Sequence, residues 1–327
     1  MFLKTIKKIF VCALIVAVIS IGAVISFTAC EGKDDGKISV VCTIFPEYDW
    51  AKEVIGSNDN VDLTLIMNNG TDLHSYQPTV EDIAKITSAD LFIYVGGESD
   101  EWVEDALKNK VNANMQTINL VEVLGDKAKE EELVEGMQGE EEEGEEEEEE
   151  GPEYDEHVWL SLKNAVIFVN EIAAKLGVID AENKDLYLEN ANTYTAKLQE
   201  LDRKYQAAVD AKAKDTLLFG DRFPFRYLVE DYSLKYYAAF IGCSAETEAS
   251  FETIAFLAGK VDACNLNTIL IIETSDGSIA NTIKENTTSK NQKILTLDSM
   301  QNTTLKSNKT YYSMMESNLE VLKEALK

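Results

Sequence analysis

The chain is short of basic residues, of histidine and of cysteine, and each shortage removes a class of function. Its 30 lysines and arginines face 59 aspartates and glutamates, a net charge of −29. Such a balance argues against nucleic acid as a partner, because phosphate backbones are held by basic side chains. Only two histidines are present, His74 and His157, and no His-Glu-x-x-His pattern occurs, so the usual helical catalytic zinc site has no counterpart. Of the five cysteines, Cys12 falls in an N-terminal apolar run, and Cys42, Cys243 and Cys264 cannot all pair within one chain. One disulfide with one thiol, or three thiols, are both open. No two of the three stand at the short spacing of thiolate zinc sites, which argues against a site of that kind.

The N-terminus sets the compartment. Lys4, Lys7 and Lys8 precede an uncharged apolar stretch from Ile9 to Phe27, then the small residues Thr28 and Ala29 and Cys30. This is the pattern of a secretory signal, with a retained transmembrane helix as the alternative on length alone. The run Phe27-Thr28-Ala29-Cys30 resembles a bacterial lipobox. That resemblance implies a signal peptide over residues 1–29 and a lipid anchor on Cys30, with residues 30–37 as the tether that follows. Either reading puts the remainder outside the cytoplasm, at the membrane surface. Loss of a segment with three lysines and no acids takes the net charge from −29 to −32.

Beyond the tether the apolar pattern predicts an α/β protein. Strand runs are expected at Ile38 to Phe45, where Pro46 ends the run, and at Val61 to Met67, Leu91 to Val95 and Met115 to Leu120. Helical segments at Val80 to Thr87 and Glu101 to Lys110 separate them, and alternation of this kind implies βα units with a mostly parallel sheet. The rhythm returns with Thr216 to Phe219, Tyr236 to Ile241, Thr268 to Ile272 and Lys293 to Leu297, with helices at Phe251 to Val261, Ser278 to Glu285 and Tyr311 to Leu326. Two lobes are therefore expected, 38–180 and 213–327. Between them, residues 181–212 carry Tyr187, Ala191, Tyr194, Leu198, Leu201, Tyr205 and Ala208 at helical spacing. No glycine or proline interrupts that stretch, so a rod of roughly 45 Å joins the lobes. A segment over 130–153 interrupts the first lobe. Glu140 to Glu150 is all glutamate but for Gly144, with Glu130, Glu131, Glu132 and Glu135 before it, and like charges this dense predict a disordered loop.

The two histidines sit in distinctive settings. His74 lies in a turn-rich loop after the run Val61 to Met67, and His157 directly precedes the helix that includes Asn164 to Leu176. Loops at the carboxyl ends of parallel strands line the crevice where ligands bind. Neutral imidazole there suits a transition metal, with oxygen ligands completing the site.

The motifs resemble a known family. Gly70 to Pro78 is similar to the G-x-D-x-H-x-Y-x-P motif of the metal-binding lipoproteins of zinc and manganese ABC importers, cluster A-I of the periplasmic binding proteins. Asp155 to Leu160 resembles their D-x-H-x-W-L motif. Leu297-Asp298-Ser299, followed by Tyr311 to Met315, resembles the segment that supplies a carboxylate ligand. The resemblance implies two lobes joined by a long helix, with one metal in the cleft held by His74, His157 and Asp298. One departure stands out. Where the family places a third His or Glu ligand, this chain has Arg222, whose guanidinium has no acceptor. Glu246 is the favoured replacement, ahead of Glu248 and Asp221, with Arg222 orienting a carboxylate; a surface salt bridge is the plainer role for Arg222.

What the resemblance implies for function is a non-enzymatic, monomeric binding protein that hands its metal to a membrane permease and its ATPase. The metal is the transported ligand and no catalytic cofactor is expected. Ligand hardness suits manganese, whereas the acidic loop and the Arg222 variation resemble subgroups associated with zinc, and zinc is favoured. A zinc-dependent hydrolase and an adhesin lipoprotein on the same scaffold are the rival readings. Against the first, the ligands are spread over both lobes, which suits capture by cleft closure.

Overall fold

The computed structural model describes residues 36–139, 153–244 and 248–327. The signal segment, Cys30, Glu140 to Glu150 and Glu246 lie outside the described residues. Ile38–Lys327 form one compact unit.

The first sheet is built from β1 (Ile38–Cys42), β2 (Val61–Leu65), β3 (Leu91–Tyr94) and β4 (Gln116–Asn119), in the order β2-β1-β3-β4, all parallel. Its central strands are apolar on both faces, as a sheet covered on both sides requires. The period-2 alternation sorts them. Val40, Cys42, Leu91 and Ile93 face one core, while Val41 and Phe92 face a smaller one with Ile86, Val103 and Met115. The helices α2 (Val80–Ser88) and α3 (Trp102–Lys108) supply Ile86 and Val103.

One expectation fails at its edge. The run Ile38 to Phe45 leaves the sheet at Cys42, and Phe45 opens a helix, α1 (Phe45–Ile55). Pro46 thus starts a helix rather than ending a strand, since the first helical turn has no need of its missing N–H. Buried Glu47 completes the turn by accepting from the Thr43 and Ile44 amides at 2.8 and 3.2 Å.

The chain passes through the short α4 (Leu120–Leu124) to α5 (Leu162–Ile179) and then to α6 (Lys184–Asp210), the expected long helix. The predicted stripe of α6 is buried at Tyr187, Ala191, Tyr194, Leu198, Leu201 and Tyr205, with Ala208 half-buried at its margin. α6 packs along α5 and against α1 and, near its far end, α10 (Tyr311–Ala325). Asn58 of the first lobe donates to Tyr187 Oη at 2.7 Å, and Tyr205 Oη donates to the Met315 carbonyl at 2.6 Å. The rod is bonded to both lobes.

The second sheet holds β5 (Thr216–Phe223), β6 (Lys235–Ile241), β7 (Thr268–Ile271) and β8 (Lys293–Thr296) in the order β6-β5-β7-β8, again all parallel. The short helix α7 (Arg226–Asp231) follows β5. Leu217, Phe219 and Leu270 face the same large core as the first sheet, and Leu218 and Ile269 face an outer core closed by α8 (Phe251–Ala263) and α9 (Ser278–Asn286). Each lobe therefore keeps a core of its own and shares a central one.

The acidic segment departs from expectation where it is described. Residues 130–139 are ordered: Glu130 bridges Tyr154, Gln138 lies beside Phe240 at the free edge of β6, and Glu132 and Glu135 pair with Arg226 and Lys260 at 3.2 and 3.1 Å. Acids spaced among other residues here find basic partners on the second lobe. All three described cysteines are free thiols. Among the described residues no helix is long and apolar enough to cross a membrane.

Candidate metal centre

His74 stands on a single 3-10 turn after β2, Leu73–Ser75, whose cap Asp72 accepts the His74 amide at 3.2 Å. Gly70 makes the approach to that turn at φ +83°, a conformation that a side chain would strain. The Nδ1 of His74 lies 2.8 Å from Ser99 Oγ. Ser99 is itself fixed by its amide, which donates to Glu156 Oε1 at 2.6 Å.

His157 is fully buried. Its amide and its Nδ1 both lie on Asp155 Oδ1, at 2.8 and 3.0 Å, so the carboxylate holds the proton on Nδ1 and turns Nε2 outward. Behind the ring, Trp159 is held by an Nε1–H bond of 2.8 Å to the Ser299 carbonyl in the second lobe.

The two rings meet. Nε2 of His74 and Nε2 of His157 are 3.2 Å apart, while both Nδ1 atoms are engaged elsewhere. Two imidazole lone pairs at that distance repel unless a proton or a cation lies between them. The electrostatics assign the proton. Burial, then the charges of His157 and Arg222, push His74 down to about 3. Burial also opposes charge on His157, but Asp155, Glu156 and Glu131 outweigh it and raise its pKa. Both shifts favour a proton on His157 over one on His74, and a divalent cation between the two nitrogens would take such a proton's place. Zinc–nitrogen bonds of ~2.0–2.1 Å in tetrahedral array set two nitrogens about 3.3 Å apart, close to the spacing found.

The remaining sequence-predicted residues fall around this pair in different ways. Arg222 does not face the nitrogens: it reaches Asp72 Oδ2 at 2.9 Å, and the Ser244 carbonyl and Thr274 Oγ1, each at 3.4 Å. Asp221 is buried against the backbone, accepting its neighbour's amide at 2.8 Å and that of Ile272 at 3.5 Å. Glu248 is exposed. Asp298 lies 3.3 Å from Lys309 Nζ and accepts the Met300 amide at 3.0 Å.

Residues that sequence reasoning passed over also come close to the rings. The amide of Gln301 lies 3.4 Å from His74 Nε2, and its Oε1 is buried without a partner. Cys243, two residues past the end of β6, brings its sulfur and one nitrogen from each imidazole within 4.8 Å of one another. Glu156, whose Oε2 is 3.9 Å from His74 Nδ1 and otherwise unpartnered, is raised by burial to about 7. The sequence did carry signals for the first two: Gln301 is three residues past Asp298, and Cys243 follows a strand end. Beside the rings a cavity of ≈ 490 Å³ opens between the lobes, lined by Asp72, Asp221, Arg222, Ser244 and Thr274.

Two parallel-sheet lobes on a shared core, braced by one long helix and meeting at paired imidazoles, define a two-lobed, helix-braced binding protein. A family model described as zinc-uptake complex component A, periplasmic, matches residues 40–325, and the chain belongs to that family. The zinc-binding lipoprotein AdcA of Streptococcus pneumoniae is 33% identical over 293 residues, which are 89% of this chain and 56% of that protein. The chain thus spans little more than half the length of its streptococcal relatives. The high-affinity zinc uptake system protein ZnuA of Bacillus subtilis is 31% identical over 297 residues, 90% of this chain and 89% of that one. The crystal structure of the Zn(II)-bound ZnuA-like domain of Streptococcus pneumoniae AdcA superposes with a TM-score of 0.69 at 29% identity, covering 89% of this chain and 99% of that one.

Proposed function

We propose that this protein is the extracytoplasmic, lipid-anchored binding component of an ABC importer, taking up one divalent transition metal, zinc in preference to manganese. The observation that carries this is the 3.2 Å approach of the His74 and His157 Nε2 atoms at the lobe boundary, with each Nδ1 held elsewhere. The relatives named for zinc binding and zinc uptake support the choice of metal.

Metal enters through the cavity lined by Asp72 and Arg222 and displaces the proton that the two imidazoles share. Asp155 fixes one ring and Ser99 the other, so little reorganisation accompanies coordination. The protein acts on its metal by holding and releasing it, not by chemistry upon a second substrate. A permease and its ATPase are the partners, and docking on the permease frees the metal by moving the lobes apart. The bonds of α6 to both lobes keep that motion small.

The test is calorimetric titration of the full chain in detergent with zinc and with manganese, beside His74→Ala. Tight one-to-one zinc binding that the variant loses is expected. Absence of stoichiometric binding by either metal would overturn the reading, and hydrolytic activity of the zinc form would favour an enzyme.

A further inference from the structure

We propose that Cys243 is a metal ligand, so that the cleft holds its cation with two imidazoles and one thiolate; this rests on the reading that the cleft binds a transition metal. The first lobe supplies both imidazoles, and capture between lobes calls for a ligand from the second. Arg222, at the end of β5, has no lone pair to give, and its guanidinium is committed to Asp72, Ser244 and Thr274. The next loop of the second lobe to reach the cleft is the one that follows β6. It carries Cys243, whose sulfur falls within 4.8 Å of a nitrogen of each ring.

The loop is held there by contact. Gly242 lies so close to His157 that a Cβ on it would sit 2.7 Å from Cε1 and 3.0 Å from Nδ1. Only a residue without a side chain lets the backbone rest on the ring, and that contact holds the next residue, Cys243, close to it. A second observation points to the same place from elsewhere. Gln301, 2% exposed, has its amide 3.4 Å from His74 Nε2 and a buried Oε1 with no partner. A half-turn of the amide presents that oxygen to the cation as a fourth ligand. Zinc–sulfur bonds of ~2.3 Å place sulfur about 3.5 Å from a ligand nitrogen in a tetrahedron, so the loop need close by no more than about 1.3 Å.

On binding, the sulfur–metal bond forms as the thiol loses its proton to water. A thiolate also decides between cargoes: it is a soft ligand that suits zinc and disfavours manganese, which prefers oxygen.

Cobalt(II) is the probe. The full chain in detergent, loaded with one equivalent, is expected to show an intense near-ultraviolet thiolate-to-cobalt charge-transfer band, and X-ray absorption of the zinc form one sulfur at about 2.3 Å. Cys243→Ser should lose the band and still bind one metal, with zinc affinity lowered by more than the roughly 10–100-fold typical of a lost outer partner. One-to-one cobalt binding by the unmodified chain with no sulfur band would overturn Cys243 as a ligand and leave the importer reading standing. No one-to-one binding, or binding untouched by His74→Ala, would overturn the cleft reading itself and this one with it. The unmodified chain decides the matter alone, whether or not the variant folds.

Discussion

The Arg222 guanidinium meets Asp72 at 2.9 Å across 150 residues of sequence, joining the strand end of the second lobe to the turn that carries His74 in the first. Both side chains are mostly shielded, at 16% and 17% exposure, so the pair lies between a surface bridge and a buried one. Arg222→Met is expected to cost about 1–3 kcal/mol of stability, seen as a lower thermal midpoint. Because the pair lines the cavity beside the rings, the same variant should release zinc faster to a chelator in stopped flow. An unchanged release rate would mean that the bridge does not restrain the cleft.

Asp155 Oδ1 lies 3.0 Å from His157 Nδ1, on the side of the ring turned from His74. Asp155→Asn should leave the fold intact, by circular dichroism, and weaken zinc binding about 10–100-fold by freeing the ring's tautomer and orientation. Calorimetry gives the number.

Gly242→Ala puts a methyl group 2.7 Å from the His157 ring and 3.1 Å from the Phe223 carbonyl. Overpacking of this kind costs about 1–3 kcal/mol. Here the loss should appear in zinc affinity more than in the melting of the metal-free protein, because the ring can turn away. Competition with a chromogenic chelator separates the two.

Asp100 is one source of pH dependence. It is buried beneath the Val95 and Gly96 amides, which it accepts at 2.9 and 3.1 Å, and burial raises it to about 6. A folded pKa above the unfolded value of ~3.9 means that the folded chain prefers the protonated acid. That contribution is full below about pH 4 and is lost as the pH rises through 6. Asp100→Asn, which stays neutral, should therefore gain on the order of 2–3 kcal/mol relative to the parent at pH 8 and little at pH 4. Urea melts at the two pH values check the sign.

Much of this was legible beforehand because parallel sheets and amphipathic helices write themselves in local patterns. The eight strand runs, the α6 stripe and the settings of His74 and His157 depend on neighbours within a few residues. Pro46 misled because the same residue can end a strand or open a helix, and what decides is Glu47 folding back onto Thr43. The ordering of residues 130–139 depends on the free edge of β6, about a hundred residues on. Cys243 was passed over because sequence spacing weighed it against other cysteines, whereas its neighbours in space are imidazoles from 83 residues apart in the other lobe. Gln301 is three residues past Asp298 in the same loop, and only the loop's path shows that its amide turns toward His74.

The shared central core has a consequence for change over time. Because α6 and the inner faces of both sheets are one packed body, Cys243 and Gln301, which lie on loops outside it, stand apart from what holds the fold together. These two can be exchanged one at a time with the scaffold left as it is, whereas Arg222, at the end of β5 and paired with Asp72, cannot, and that gives this architecture a way to drift from one metal to another.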